Sequence, residues 1–214
     1  METTRVGILG SGDVGRALGR GFDRHGWDVM LGTRNPDELR AQLDPSDGDV
    51  SVGTFEEAAA YGDVVVLAVL GDAAEAVVEM AGSENFAAKL VLDATNPLDF
   101  SSGVPHLSLG GTDSLGERIQ EALPDASVVK CFNTVSNIQM IDPEFDEETP
   151  PMFICGNDDD AKAQTEEIVV ELGWPSVMDV GDITSARYLE ALVPLWVRVG
   201  SNLGTWKHAF KAVQ

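Results

Sequence analysis

The stretch Val6-Gly7-Ile8-Leu9-Gly10-Ser11-Gly12-Asp13-Val14-Gly15 restricts this chain more than any other. A short apolar run ends in G-x-G-x-x-G, and apolar residues follow at Ala17, Leu18 and Phe22. That order reads as strand, tight turn, helix. Each glycine has a physical task in it. Gly10 lets the chain turn sharply out of the strand. Gly12 leaves its backbone open to a pyrophosphate, and Gly15 lets the helix pack closely on the strand. The free N–H groups and the positive dipole end of the helix then face the phosphates. Glycines also make ordinary turns, but a motif that follows a strand and opens a helix points to dinucleotide binding. Gly10, Ser11, Gly12, Asp13, Val14 and Gly15 are the candidate pyrophosphate contacts.

The next strand, read over 27–31, runs into Gly32-Thr33-Arg34-Asn35-Pro36. Sites specific for NAD place Asp or Glu here to accept from the ribose hydroxyls, and none is present before Asp37. Arg34 stands there instead, flanked by Thr33 and Asn35. A guanidinium fork pairs with the 2′-phosphate of NADP, which a carboxylate would repel. The expected cofactor is therefore NADP(H). The alternative is a solvated charge ahead of a helix opened by Pro36.

Strand and helix patterns alternate from the first residues onward, which predicts βαβ units and a parallel sheet. The β-branched run 63–69 and the run 90–93 read as central strands buried on both faces. Thr54, with Glu57 three residues on, reads as a capping box opening a helix to about Tyr61. Residues 100–113 are rich in Gly and Ser and read as a loop bordering a pocket. Further strands are expected over 127–132, 152–155 and 177–180, and a helix over 158–172. The acidic, proline-bearing segment 142–151 reads as a surface crossing. The fold expected is α/β, a Rossmann-type doubly wound, mostly parallel sheet with a helical C-terminal segment. Residues 1–182 are assigned to an NADP-binding Rossmann-type domain, with a strand-helix extension from about 151. Residues 183–214 form the helical C-terminal segment, which Pro194 is expected to kink.

Charge narrows the partners. The 214 residues carry 36 Asp and Glu against 14 Lys and Arg, a formal charge of −22. Such a balance disfavours nucleic acid and anionic membrane as partners. It suits an acidic, salt-adapted protein, whose self-repulsion is screened at high ionic strength. The C-terminal segment is the exception. Arg187, Arg198, Lys207 and Lys211 stand there against Glu190 alone, which suggests subunit packing or contact with an anionic ligand. Cys131 and Cys155 read as buried free thiols, and no Cys or His cluster suggests a metal. The first residues, Met-Glu-Thr-Thr, hold no apolar run, and no stretch approaches the ~18 apolar residues of a membrane span. A cytoplasmic protein is expected.

In an open α/β sheet the ligand lies beyond the carboxyl ends of the strands. Three strand ends collect the nicotinamide and second-substrate candidates: Ala68-Val69-Leu70, Asn96-Pro97 and Asn133-Thr134. They are mostly neutral, with no His, Lys or Asp-His pair. A dehydrogenase acting on an alcohol needs a group to take the hydroxyl proton. A neutral site suits hydride transfer between two redox cofactors, where the protein positions two rings and excludes water. His25, His106 and His208 read as surface histidines.

The segments 10–15 and 32–36, together with Lys130-Cys131-Phe132-Asn133-Thr134 and Leu189-Glu190-Ala191-Leu192-Val193-Pro194-Leu195, resemble the coenzyme F420-dependent NADP oxidoreductases. The resemblance covers nearly the whole chain. It implies a homodimer that transfers a hydride between NADP(H) and the 5-deazaflavin F420. By position, Thr33 and Arg34 would hold the 2′-phosphate with Asn35 beside them, the Gly12 to Gly15 turn the pyrophosphate, and Ala68 to Leu70 with Asn96-Pro97 the nicotinamide. One departure stands out. The F420-type pattern has Phe-His-Thr where this chain has Phe132-Asn133-Thr134, and an Asn cannot carry a proton. The Phe-Asn-Thr version also resembles the cytosolic NADPH-binding domain of the six-transmembrane ferric reductases, so a flavin acceptor is an alternative. A small keto-acid or hydroxy-acid reductase on the same scaffold, and a non-catalytic NADP(H)-binding redox sensor, are the other readings that a neutral site admits.

Overall fold

A computed structural model describes residues 4–103 and 105–213. Met1 to Thr3, Val104 and Gln214 lie outside the described residues; the reading of the first residues as free of an apolar run falls on the first of these. The elements run β1 (Arg5–Leu9), α1 (Asp13–Arg24), β2 (Asp28–Gly32), α2 (Pro36–Gln42), β3 (Val50–Gly53), α3 (Phe55–Tyr61), β4 (Val64–Leu67) and α4 (Ala74–Ala81). Then come β5 (Leu90–Asp93), β6 (Leu98–Asp99), β7 (His106–Leu107), α5 (Leu115–Ala122), β8 (Ser127–Lys130), β9 (Met152–Gly156), α6 (Asp159–Glu171), β10 (Val177–Asp179) and α7 (Ala186–Leu203).

Eight strands form one sheet in the order β10-β9-β8-β5-β4-β1-β2-β3. The six from β3 to β8 in that order are mutually parallel. Their apolar runs are continuous because successive side chains feed two different cores. Val6, Ile8, Val64, Val66, Leu90 and Leu92 pack with Leu18 and Phe22 of α1. Leu9, Val65, Leu67 and Val91 pack on the other face with α3, α4 and α5. Helices therefore cover both faces, and the strand order reverses between β1 and β4, where such sheets open a cleft.

The expected fold is borne out, with local differences. β9 lies antiparallel to β8, and β10 is parallel to β9. An apolar strand reads the same in either direction, so its sequence could not announce this. β4 ends at Leu67, although the Ala68 amide still donates to Leu9 O at 2.8 Å. β8 stops at Lys130 because Phe132 takes a left-handed φ of 62°. The loop over 100–113 contains β7, which pairs antiparallel with β6. α7 continues as one helix through Pro194. The Thr54 capping box forms in both directions, Glu57 N to Thr54 Oγ1 and Thr54 N to Glu57 Oε2.

Candidate functional site

The cleft at the reversal point measures about 580 Å³, within the size range of sites that hold cofactors. The turn after β1 makes one wall, contributing residues from Gly10 to Val14. Gly10 has φ 136°, and a Cβ there would stand 2.2 Å from Ala68 O. A Cβ on Gly15 would stand 2.1 Å from Gly10 O. These two glycines are demanded by the protein itself. Gly12 is different. Its φ is −77°, ordinary for any residue, and a Cβ there would meet no protein atom within 4 Å. Nothing in the fold requires glycine at this position. Space beside the backbone is what it preserves. No side chain caps α1 at Gly12, so its first-turn N–H groups stay available to an anion.

The loop after β2 makes the second wall. Thr33 and Arg34 line both the cleft and an adjoining pocket of about 140 Å³, which Ser11, Asn35, Glu38, Leu39 and Gln42 complete. Arg34 is exposed and has no carboxylate partner among the described residues. Arg16, by contrast, is fully engaged: it donates to Ser11 O at 3.2 Å and to Gln42 Oε1 at 3.1 Å, and it faces Asp47 at 3.5 Å. The fork left open toward the pocket is therefore that of Arg34. Glu38 also lines the pocket. Its two oxygens accept from Asn35 Nδ2 and Gln42 Nε2, each at 3.2 Å.

The inner end is apolar. Ala68, Val69, Leu70, Ala73, Val77 and Met80 line it, facing Ala94, Asn96, Leu98 and Phe100. Leu70 is 72% exposed and Phe100 58%, so both present apolar surface at this end of the cleft. Among the residues singled out from sequence, Ala68, Val69, Leu70 and Asn96 line the cleft. Pro97, Asn133 and Thr134 do not: all three are buried behind it. Asn133 reaches the cleft only through Asn96. Asn133 Nδ2 donates to Asn96 Oδ1, and Asn96 Nδ2 donates back to Asn133 O, both at 3.3 Å. Asn133 Oδ1 is buried without a partner.

The three strand ends carry no charged side chain of their own. Directly beneath them lies an ion triad of Asp93, Lys130 and Glu190, all buried. Its members come from β5, β8 and α7, so no local spacing in the sequence joins them. The signal was present: Glu190 is the lone acid in a basic segment. The histidines also differ from one another. His25 pairs with Asp142 at 3.1 Å. His208 is no plain surface residue. Its ring stacks on Trp196 with centroids 4.6 Å apart, and its Nε2 lies 2.9 Å from Trp196 O. Cys131 and Cys155 are buried free thiols, and burial pushes the Cys155 thiol up to about 12.

Comparison with known proteins adds family to geometry. Residues 5–97 match the family model described as NADP oxidoreductase, coenzyme F420-dependent. The crystal structure of a candidate F420-dependent NADP reductase from Arthrobacter sp. FB24 is 38% identical and covers all of both chains, with a TM-score of 0.94. The chain belongs to the coenzyme F420-dependent NADP oxidoreductase family.

Two curated relatives match as well. The F420-dependent NADP reductase of Methanocaldococcus jannaschii is 22% identical over 205 residues, 90% of this chain and 91% of that protein. Metalloreductase STEAP3 of Rattus norvegicus is 32% identical over 200 residues, 91% of this chain but 38% of that protein. The chain thus spans about two fifths of the length of its metalloreductase relatives. No helix among the described residues is long and apolar enough to cross a membrane, and no group of His, Cys, Asp and Glu among them could hold a metal ion. As a family member the chain is an NADP-dependent oxidoreductase.

Proposed function

We propose that this chain is a cytoplasmic enzyme that binds NADP(H) in the cleft and exchanges a hydride between it and coenzyme F420. The observation that carries the reading is the pairing of Gly12, beside whose backbone the fold leaves open space, with Arg34, whose guanidinium has no acidic partner among the described residues. Backbone N–H groups of the Gly12 to Gly15 turn would hold the pyrophosphate. Thr33, Arg34 and Asn35 would hold the 2′-phosphate, and Ala68 with Asn96 the nicotinamide. NADP(H) supplies the hydride. The chain's own part is to hold two rings in line and keep water out. Ala73, Val77, Leu98 and Phe100 do this with apolar surface. Asp13 and Arg34 are the charged residues lining the cleft, and both stand at its phosphate end. Ring-to-ring hydride transfer asks for no general base at the inner end.

A flavin acceptor is the second reading, favoured by Asn133. Its amide is buried against Asn96 and cannot act as an acid or base, and STEAP3, a metalloreductase by name, is 32% identical over 200 residues. The exposed stripe Tyr188, Leu195 and Leu203 on α7 is the candidate face for the homodimer. Its basic neighbours would offset the acidity of a second copy, and sedimentation at high salt would give twice the monomer mass. The assay for the main reading mixes purified protein, NADPH and F420 at high salt, with FMN in parallel. Bleaching of F420 by NADPH supports it. Bleaching of FMN alone moves the acceptor to flavin. Tight NADPH binding without turnover of either leaves a redox sensor.

A further inference from the structure

Lys130 has no part in the function proposed above, yet its side chain is fully buried. Asp93, Lys130 and Cys155 are register partners across β5, β8 and β9, so they share one face of the sheet. Glu190 of α7 closes over that row. The ammonium of Lys130 lies 2.7 Å from Asp93 Oδ2 and 2.7 Å from Glu190 Oε1, and it donates to Thr95 O at 2.9 Å. All three of its hydrogens are thereby used. Burial alone would lower its pKa, but the two carboxylates outweigh burial and hold it above its ordinary value.

Both carboxylates are themselves tied to backbone. Asp93 Oδ1 accepts from Thr95 N at 2.9 Å and from Thr95 Oγ1 at 2.6 Å. Glu190 accepts from the amides of Leu115 and Gly116 at 3.0 Å each, at the start of α5, where the helix dipole favours a negative charge. A buried ion triad is a weak way to gain stability, since desolvation cancels most of the attraction. What this one does is geometric. It clamps Thr95 from two sides, and the next residue is Asn96, on the cleft wall. The other side of that turn has no slack, since a Cβ on Gly71 would stand 2.1 Å from Asn96 O.

We propose that Lys130 is a positioning residue: it locks the Thr95-Asn96 turn to Glu190 of α7, and so sets how a nicotinamide ring seats at the inner end of the cleft. The proposal rests on the NADP(H) reading of that cleft. It assigns α7 a role in cofactor geometry although no residue of α7 lines the cleft.

The test compares two ligands that share the phosphate end. NADPH has the nicotinamide, and 2′,5′-ADP lacks it. Two variants are used: Lys130→Met, and the triple Asp93→Asn, Lys130→Met, Glu190→Gln, which keeps the interior neutral if the single variant fails to fold. In both, NADPH should bind about tenfold more weakly, since a small misplacement carries a penalty of that order or more. Affinity for 2′,5′-ADP should stay within about twofold, and the fluorescence enhancement of bound NADPH should fall. Parallel weakening of both ligands would reduce Lys130 to a structural part and overturn the proposal. So would unchanged NADPH binding and fluorescence. Wild-type protein that binds neither ligand would instead remove the NADP(H) reading itself, and the proposal with it.

Discussion

Ser11 Oγ donates to Thr33 Oγ1 at 3.3 Å, joining the turn after β1 to the loop after β2. The two hydroxyls stand where the cleft meets the smaller pocket, and Arg34 follows directly. A phosphate on the ribose 2′ position would reach the guanidinium there. Arg34→Ala should weaken NADPH binding about ten- to a hundredfold, the range for losing charge-assisted hydrogen bonds. NADH binding and melting temperature should barely change, because Arg34 is exposed and pairs with no carboxylate among the described residues. Titration calorimetry with both cofactors checks this. Equal losses for NADPH and NADH would remove Arg34 from the role.

Gly12→Val separates ligand space from folding. The fold has room for the side chain, so the melting temperature should stay near that of the wild type. Both cofactors should lose binding, because the valine would occupy the pyrophosphate's place. Gly10→Val should do the opposite kind of harm, since its φ and the contact with Ala68 O leave no room. A Gly12→Val protein that binds NADPH normally would contradict the cleft assignment.

Acid should loosen the seat of α7. Glu117 pairs with Arg187, whose hydrogen bonds hold its carboxyl below its ordinary value of 4.5. A carboxyl lowered on folding contributes stability that is present above its unfolded value and lost as pH falls through its folded one. Melting temperature should therefore drop more steeply below about pH 4.5 in the wild type than in Glu117→Gln. Parallel curves for the two proteins would show that the pair contributes nothing there.

Salt should stabilise the chain. With a formal charge of −22, self-repulsion opposes folding and weakens as the screening length shrinks to about 3 Å at molar salt. Melting temperature should rise steadily from low to molar potassium chloride. A flat or falling curve would end the salt-adapted reading.

Much of this was legible in the chain. The bounds of β5, the capping box at Thr54 and the strand, turn and helix around Gly10 to Gly15 follow from local spacing, which local hydrogen bonds and sterics enforce. The cleft wall that Gly10 to Val14, Thr33 and Arg34 make was legible for the same reason. What stayed hidden is non-local. The reversed direction of β9 leaves no mark on an apolar run. Asn133, expected to line the cleft at a strand end, is carried inside by the left-handed turn at Phe132. Lys130 reads as an ordinary strand residue until Glu190, sixty positions later, is folded onto it.

The central claim is that the cleft is built for NADP(H). The direct measurement is the affinity of the wild-type protein for NADPH and NADH, by calorimetry at molar salt. The account predicts NADPH bound about tenfold or more tightly than NADH, the difference a bidentate phosphate contact supplies. Equal affinities, or a preference for NADH, would contradict it.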